Sequence, residues 1–208
     1  MDVRLATPGD VERATETIAL AFSTDPVWEV ALRREDGRTD HLRPYWRLFV
    51  AAAVDQGTVW LLDDGAAVAV WIPPGGRELP DDAAWAALER FNVETLGRAG
   101  AAEMAELYER FEADHPAQPV HAYLSLLATH PDRRGAGIGQ QLLAATLGHW
   151  DAIGVPAYLE STNPANDHRY ARVGFVPIGT FHAVRDGAPI TRMWRAPARR
   201  PGAPRASD

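Results

Sequence analysis

The sequence predicts a mixed α/β fold in a single domain. Three observations carry this. Apolar runs at 58–62 and 66–72 flank an Asp63-Asp64-Gly65 turn, which is a β-hairpin signal. Stretches of helical period stand on both sides of that hairpin. Further along, a strand, a glycine-rich turn, a helix and a second strand follow in order from Val120 to Glu160, which calls for a right-handed crossover between parallel strands.

Taken in order, Val3-Arg4-Leu5 reads as a short strand. Thr7-Pro8-Gly9-Asp10 caps a helix whose apolar positions are Val11, Ala14, Ile18 and Leu20 or Ala21. Asp25-Pro26 interrupts it. A second helix runs from Asp40 to Gln56, with Leu42, Trp46, Phe49, Val50 and Ala53 on one face, and Gly57 ends it. After the hairpin, Pro73-Pro74-Gly75-Gly76 stops the strand. Asp81 to Phe111 is Ala/Glu/Leu-rich and helical, with a break expected between Asn92 and Gly100. A loop spans 114–119. Val120 to Thr129 is a strand, 130–139 a turn, Gln140 to Ile153 a helix and Ala157 to Glu160 a strand. A loop and short helix fill Ser161 to Val173. Two strands, Val176 to Val184 and Ile190 to Trp194, join through Asp186-Gly187. The expected domain is 1–195, and residues 196–208 form a Pro/Arg-rich flexible tail.

Composition narrows the chemistry. The 208 residues contain no cysteine, and all 21 basic residues are arginine. Disulfides, thiolate metal sites, cysteine nucleophiles, lysine Schiff bases and the phosphate-loop lysine are therefore excluded. The net charge of −7 argues against nucleic acid as a partner. No apolar run approaches the length of a membrane span and Met1 begins no secretory signal, so a cytoplasmic location is expected, with no membrane partner. The seven histidines show no metal-ligand spacing, so no metal is expected.

The turn after Thr129 is where chemistry concentrates. Glycines at a helix start let the backbone approach an anion, and the first helical N–H groups lack acceptors. Arg134 adds a fork of donors. Arg134, Gly135, Ala136, Gly137, Ile138, Gly139 and Gln140 thus read as a pyrophosphate cradle. The dinucleotide GxGxxG pattern fails, since the third position is Gln140 or Leu142. What remains is Arg134-x-x-Gly137-x-Gly139 after a strand ending Leu127-Ala128-Thr129-His130-Pro131. It is followed by Tyr158-Leu159-Glu160, Asn163-Pro164-Ala165-Asn166 and Tyr170-Ala171-Arg172-Val173-Gly174-Phe175. Together these resemble the GNAT superfamily of N-acetyltransferases. Arg4 to Thr7, the hairpin 59–71 and 155–160 look most like its puromycin N-acetyltransferase branch.

The resemblance implies a mostly antiparallel twisted sheet of about six to seven strands, with a splayed parallel pair at the cofactor site. It implies acetyl-CoA as cosubstrate and a small-molecule amine as acceptor, with an antibiotic as one candidate, in a monomer or homodimer. Leu127, Ala128 and Thr129 would pair with the pantetheine arm, and Leu127 N–H would face the thioester oxygen. Asn163 or Asn166 would bond the cofactor arm. Tyr170 matches the family tyrosine that protonates the departing thiolate. Many members carry a glutamate on the strand before the turn, but His121-Ala122-Tyr123-Leu124-Ser125-Leu126 has no carboxylate. Glu160 is then the first candidate base, ahead of His121. Trp28, Tyr45, Trp71 and His121 are the candidate acceptor contacts. A CoA-binding sensor without turnover and a protein or peptide N-acetyltransferase are the alternatives.

Overall fold

The computed structural model describes residues 2–184 and 187–198. Asp186 of the expected final turn and residues 199–208 of the expected tail lie outside the described residues. Chain order is β1 (Arg4–Leu5), α1 (Val11–Phe22), α2 (Trp28–Ala31), α3 (Leu42–Asp55), β2 (Val59–Leu62) and β3 (Ala67–Ile72). Then come α4 (Asp82–Asp114), β4 (Ala122–Thr129), α5 (Ile138–Ala152), β5 (Ala157–Ser161), α6 (Asp167–Ala171), β6 (Val176–Phe181) and β7 (Ile190–Arg195). The strands form one seven-stranded sheet, ordered β1-β2-β3-β4-β5-β7-β6. Only β4 and β5 are parallel, as the crossover requires.

Helices cover both faces. Val11, Ala14 and Ile18 of α1 and Tyr45, Trp46, Phe49 and Val50 of α3 fill one core with Val68 and Val70 of β3. Leu142, Leu143, Leu147 and Trp150 of α5 fill the other, with Ala67, Ala69 and Trp71. Strand β3 is buried on both faces, which is why it reads as an unbroken apolar run. The hairpin before it turns through Asp63, Asp64 and Gly65, all at positive φ (52°, 55° and 83°).

The helix α4 is two helices meeting at Gly97, whose φ of 74° breaks the ladder inside the expected interval. Asp81 caps its start, accepting from Ala84 N–H at 2.8 Å. The short α2 was not anticipated, because Asp25-Pro26 reads only as a breaker. In the structure Asp25 accepts from Val27 and Trp28 N–H at 3.0 and 3.2 Å and starts a new turn.

Strand β4 contains the decisive irregularity. Val70 faces Leu126 across the sheet while the next residue, Trp71, faces Leu124, so Ser125 is an extra residue, a bulge. Its effect on direction follows from two hydrogen bonds. Ala122 N–H donates to Pro156 on the β5 side, at 2.9 Å, whereas His130 N–H donates to Ala66 on the β3 side, at 2.8 Å. Residues eight apart on a regular strand would point the same way. The bulge reverses the parity, so Leu127 and Thr129 turn their backbone groups away from β3. Parallel pairing with β5 covers only Ala122↔Ala157 and Tyr123↔Tyr158. Beyond that the two strands part, and Leu127 and Thr129 face the gap.

The far edge is held by Arg195. Its guanidinium makes two bonds to Asp151 at 2.7 and 2.8 Å, and its Nε donates to Val173 O at 2.7 Å. Ala198 N–H also reaches Asp151, at 2.7 Å, so the chain stays attached beyond residue 195. The neighbouring guanidinium holds the Asp151 carboxyl below its ordinary range. Arg195→Ala is expected to cost about 1–3 kcal/mol in urea unfolding at pH 7. The contribution of the pair is complete above the ordinary aspartate range and is lost as the pH falls through the depressed value. The difference between variant and parent should therefore narrow in strong acid, to what the bond to Val173 O contributes.

Candidate active site

Two cavities lie along the gap. The first, about 570 Å³, is lined by Leu127, Thr129, Arg134, Gly135, Gly137, Ile138, Gly139 and Gln140, with Asn163, Asn166 and Tyr170 opposite. The second, about 1030 Å³, lies on the α4 side and is lined by Trp28, Glu78, Tyr108, His121, Tyr123, Ser125 and Glu160, among others. Phe22, Leu127 and Tyr170 belong to both walls, so the cavities meet where β4 leaves β5.

The smaller cavity is built to hold an anion. Gly135 and Gly137 adopt φ of 83° and 73°, conformations open to glycine, and Gly137 caps α5. The first helical bond of α5 runs from Gln141 N–H to Gly137 O, so the N–H groups of Ile138, Gly139 and Gln140 have no helical acceptor. The helix dipole adds positive potential there. Arg133, Arg134, Arg169 and Arg172 stand around it, although Arg133 is paired with Asp63.

Other anticipated residues separate into clear groups. Ala128 belongs to the α1–α3 core, and its backbone turns toward β3 by the parity above, so it does not serve the gap. Ala136 is exposed and lines neither cavity. Trp71 likewise does not line the larger cavity. It is fully buried on the α5 face, 5.8 Å from the Trp150 ring. Tyr45 is fully buried behind the cavity wall, its hydroxyl bonded to that of Tyr108. Trp28 and His121 do line the larger cavity. Asn163 and Asn166 both reach the smaller one, but Asn163 Oδ1 is occupied by Ala165 N–H at 3.1 Å.

Tyr170 is partly buried on α6, 6.2 Å from the Phe175 ring. Burial, reinforced by the charges of Asp25 and Asp167, pushes its pKa up to about 12. It is therefore a neutral O–H donor across the working pH range. Glu160 sits on β5 with its side chain 1 % exposed. Its Oε1 accepts from Tyr158 O–H at 2.8 Å and lies 3.4 Å from His115 Nδ1; its buried Oε2 has no close hydrogen bond, with the Tyr123 hydroxyl beside the carboxylate. From His115 the contact continues through the facing Nε2 atoms of His115 and His121, 3.0 Å apart, and then to Pro119 O, 2.8 Å from His121 Nδ1. Two imidazoles thus connect Glu160 toward the surface. Burial lowers the His121 pKa, and His115 lowers it further.

Two residues at the site escaped the sequence reading. Glu78, from the loop between β3 and α4, accepts a short hydrogen bond from the Ser125 hydroxyl. Burial pushes its pKa up, and the charge of Glu160 adds to that. The carboxylate missing from β4 is thereby brought to β4 by another segment. Asp25 ties the α1–α2 loop to the chain after β5, accepting from Thr162 O–H at 2.7 Å. No local pattern marks Glu78; the Asp25-Pro26 dipeptide is the only signal for Asp25.

Among the described residues no group of His, Cys, Asp and Glu is placed to hold a metal ion, and no helix is long and apolar enough to cross a membrane.

Comparison with known proteins agrees with this architecture. Residues 81–177, from the start of α4 into β6, match the family of the acetyltransferase (GNAT) domain. The whole chain superposes on solved structures of low identity. One is described as histone acetyltransferase HPA2 and related acetyltransferase from Corynebacterium glutamicum, with TM-score 0.63 and 23 % identity over 97 % of this chain and 98 % of that one. A second is the arylalkylamine N-acetyltransferase 2 from Aedes aegypti, with TM-score 0.67 and 13 % identity over 95 % and 99 %. A third is the Drosophila melanogaster polyamine N-acetyltransferase, with TM-score 0.64 and 15 % identity over 94 % and 99 %. At such identities the likeness is one of fold.

The close packing of the turn is testable. A Cβ on Gly139 would stand 2.5 Å from Thr129 Oγ1. Gly139→Ala is expected to lower stability by about 1–3 kcal/mol. Adding Thr129→Ala should restore most of the loss, as read by thermal unfolding.

Proposed function

We propose that this chain, whose residues 81–177 match the acetyltransferase (GNAT) domain, moves an acetyl group from acetyl-CoA directly onto the amine of a small molecule. The observation that supports it most is the meeting of a phosphate-shaped cavity and a carboxylate-bearing cavity at Leu127 and Tyr170. The neighbours named for polyamine and arylalkylamine acetylation favour small amines in general. A finer reading, resting on the motif resemblance, is an antibiotic acceptor such as a puromycin-like aminonucleoside.

Acetyl-CoA supplies an already activated thioester. The protein has to bind, orient and move protons. The N–H groups of Gly135 to Gln140 and the Arg134 guanidinium hold the pyrophosphate. Leu127 and Thr129 offer the free β4 edge to the pantetheine arm, and Leu127 N–H is the donor for the thioester oxygen. Asn166 is the preferred asparagine for the arm, since Asn163 Oδ1 is committed within its own turn. Glu160 accepts the proton that the acceptor ammonium must lose, through Oε2, which has no close hydrogen bond.

Tyr170 serves the departing thiolate. Its pKa of about 12 lies above that of a thiol, ~8.5, so it keeps its proton and stabilises the departing thiolate as a hydrogen-bond donor. Trp28 and His121 face the acceptor.

Release of free thiol from acetyl-CoA, measured over an amine panel, tests the reading. Absence of release with every amine overturns it. Gly137→Val, at a φ of 73° beside the open cradle, should weaken CoA binding at least tenfold by calorimetry. Tyr170→Phe should lower turnover about 10²-fold with little change in acetyl-CoA affinity. An unaltered rate would assign that stabilisation to water.

A further inference from the structure

Glu160 has a titratable partner where the sheet offers it a permanent cation. Its direct neighbour across the sheet is Arg192 of β7, so the two side chains leave the same face. Arg192 nevertheless turns to Asp114, at the end of α4, and reaches its carbonyl at 3.0 Å and its carboxylate at 3.3 Å. Gly179 of β6 leaves the room, since a Cβ there would meet the guanidinium. The residue after Asp114 is His115, and its Nδ1 lies 3.4 Å from Glu160 Oε1. Among the described residues Glu160 makes no ion pair with an arginine. Tyr123 and Tyr158 meet the His115 ring edge-on at 4.9 and 4.8 Å and set its plane.

The contacts beyond His115 decide which of its nitrogens carries hydrogen. Pro119 O can only accept, so His121 Nδ1 is an N–H. Burial lowers the His121 pKa, which keeps that ring neutral. Its Nε2 is then an acceptor, and His115 Nε2, 3.0 Å away, donates to it. A neutral His115 is left with a bare Nδ1 lone pair turned toward Glu160 Oε1. Two acceptors face each other there while Glu160 is ionised, and one added proton satisfies both. The other groups around His115 do not compete for it. Burial pushes the Tyr123 and Tyr158 hydroxyls far up, so both keep their protons. Asp114 is paired with Arg192, and Glu78, which feels the His115 charge, is bonded to Ser125.

We propose that Glu160, His115 and His121 form a one-proton site, in which His115 Nδ1 takes over the proton that Glu160 receives from the acceptor ammonium. This rests on the acetyl-transfer reading and assigns the residue that restores its base. The N–H bond of the ammonium breaks as an O–H bond forms on Glu160. After a half-turn of the carboxyl, that O–H bond breaks as an N–H bond forms on His115 Nδ1. The imidazolium, on a side chain 29 % exposed, gives a proton to bulk water, and Glu160 is an anion again. The Glu160 side chain, 1 % exposed, has no such route of its own. His115 acts through Glu160, as a positioning residue, and His121 fixes its tautomer.

Two measurements on the full chain test this. Nitrogen NMR at mildly alkaline pH should find hydrogen on His115 Nε2 and His121 Nδ1. On acidification His115 Nδ1 should gain the first proton, and Glu160→Gln should move that step to lower pH, since the anion that favours it is gone. Kinetics use acetyl-CoA with benzylamine, hexylamine or spermidine, whichever the parent turns over fastest. His115→Gln should lower kcat at least about tenfold. Its kcat/KM, its CoA affinity by calorimetry and its first turnover by rapid quench should match the parent, because Glu160 starts as an anion. No thiol release from the parent would overturn acetyl transfer, while the NMR result still decides whether the one-proton site exists. Hydrogen on His115 Nδ1 when both rings are neutral would overturn the proposal. So would a His115→Gln variant, folded by thermal unfolding, that keeps the parent kcat or whose first turnover falls as far as its kcat.

Discussion

Everything at the site depends on one extra residue in a central strand. Ser125 bulges out of β4, and the backbone groups after it change sides. Without it, Leu127 and Thr129 would bond inward to β3 and present nothing to the gap. With it, an edge of unpaired donors and acceptors opens in the middle of a sheet rather than at its border. Such groups seek partners, and the parting of β5 after Tyr158 denies them a strand partner. The sheet therefore creates its own slot for an extended polar chain, without any side chain specific to one ligand.

The same bulge organises the charges. The Ser125 hydroxyl anchors Glu78, which comes from a separate loop. On the carboxyl side of the bulge, β4 runs into a turn with open N–H groups and arginines. Carboxylates thus gather before the bulge and positive potential after it. The two cavities share Leu127 and Tyr170 in their walls. With neither lysine nor cysteine in the chain, a covalent acyl-lysine or acyl-cysteine step has no residue to carry it.

Local features were legible in the sequence because their causes are local. The Asp-Asp-Gly hairpin, the glycine turn opening α5 and the break in α4 each depend on a few neighbouring residues and their allowed φ values. The parallel pair followed from the length of the crossover. Side-chain destinations were less legible. Trp71 and Trp28 are both buried tryptophans near expected site segments, yet one faces α5 and the other the cavity. Period-two alternation tells that a strand has two faces, not which of them will be hollow. Ala128 lies in the α1–α3 core for a related reason, since a motif marks a stretch but a bulge decides which of its residues points where.

By itself the sequence determined the fold class, the order of most elements, the glycine-rich turn that opens α5 and the exclusion of lysine and cysteine chemistry. All of these follow from residue type and short-range periodicity. Only the tertiary structure decided where the acids stand. Glu78 meets Ser125 across 47 residues and Asp25 meets Thr162 across 137. Contacts at such separation are set by how helices and strands pack, and a carboxylate carries the same letter whether that packing exposes it, neutralises it or leaves it unpaired in a cavity.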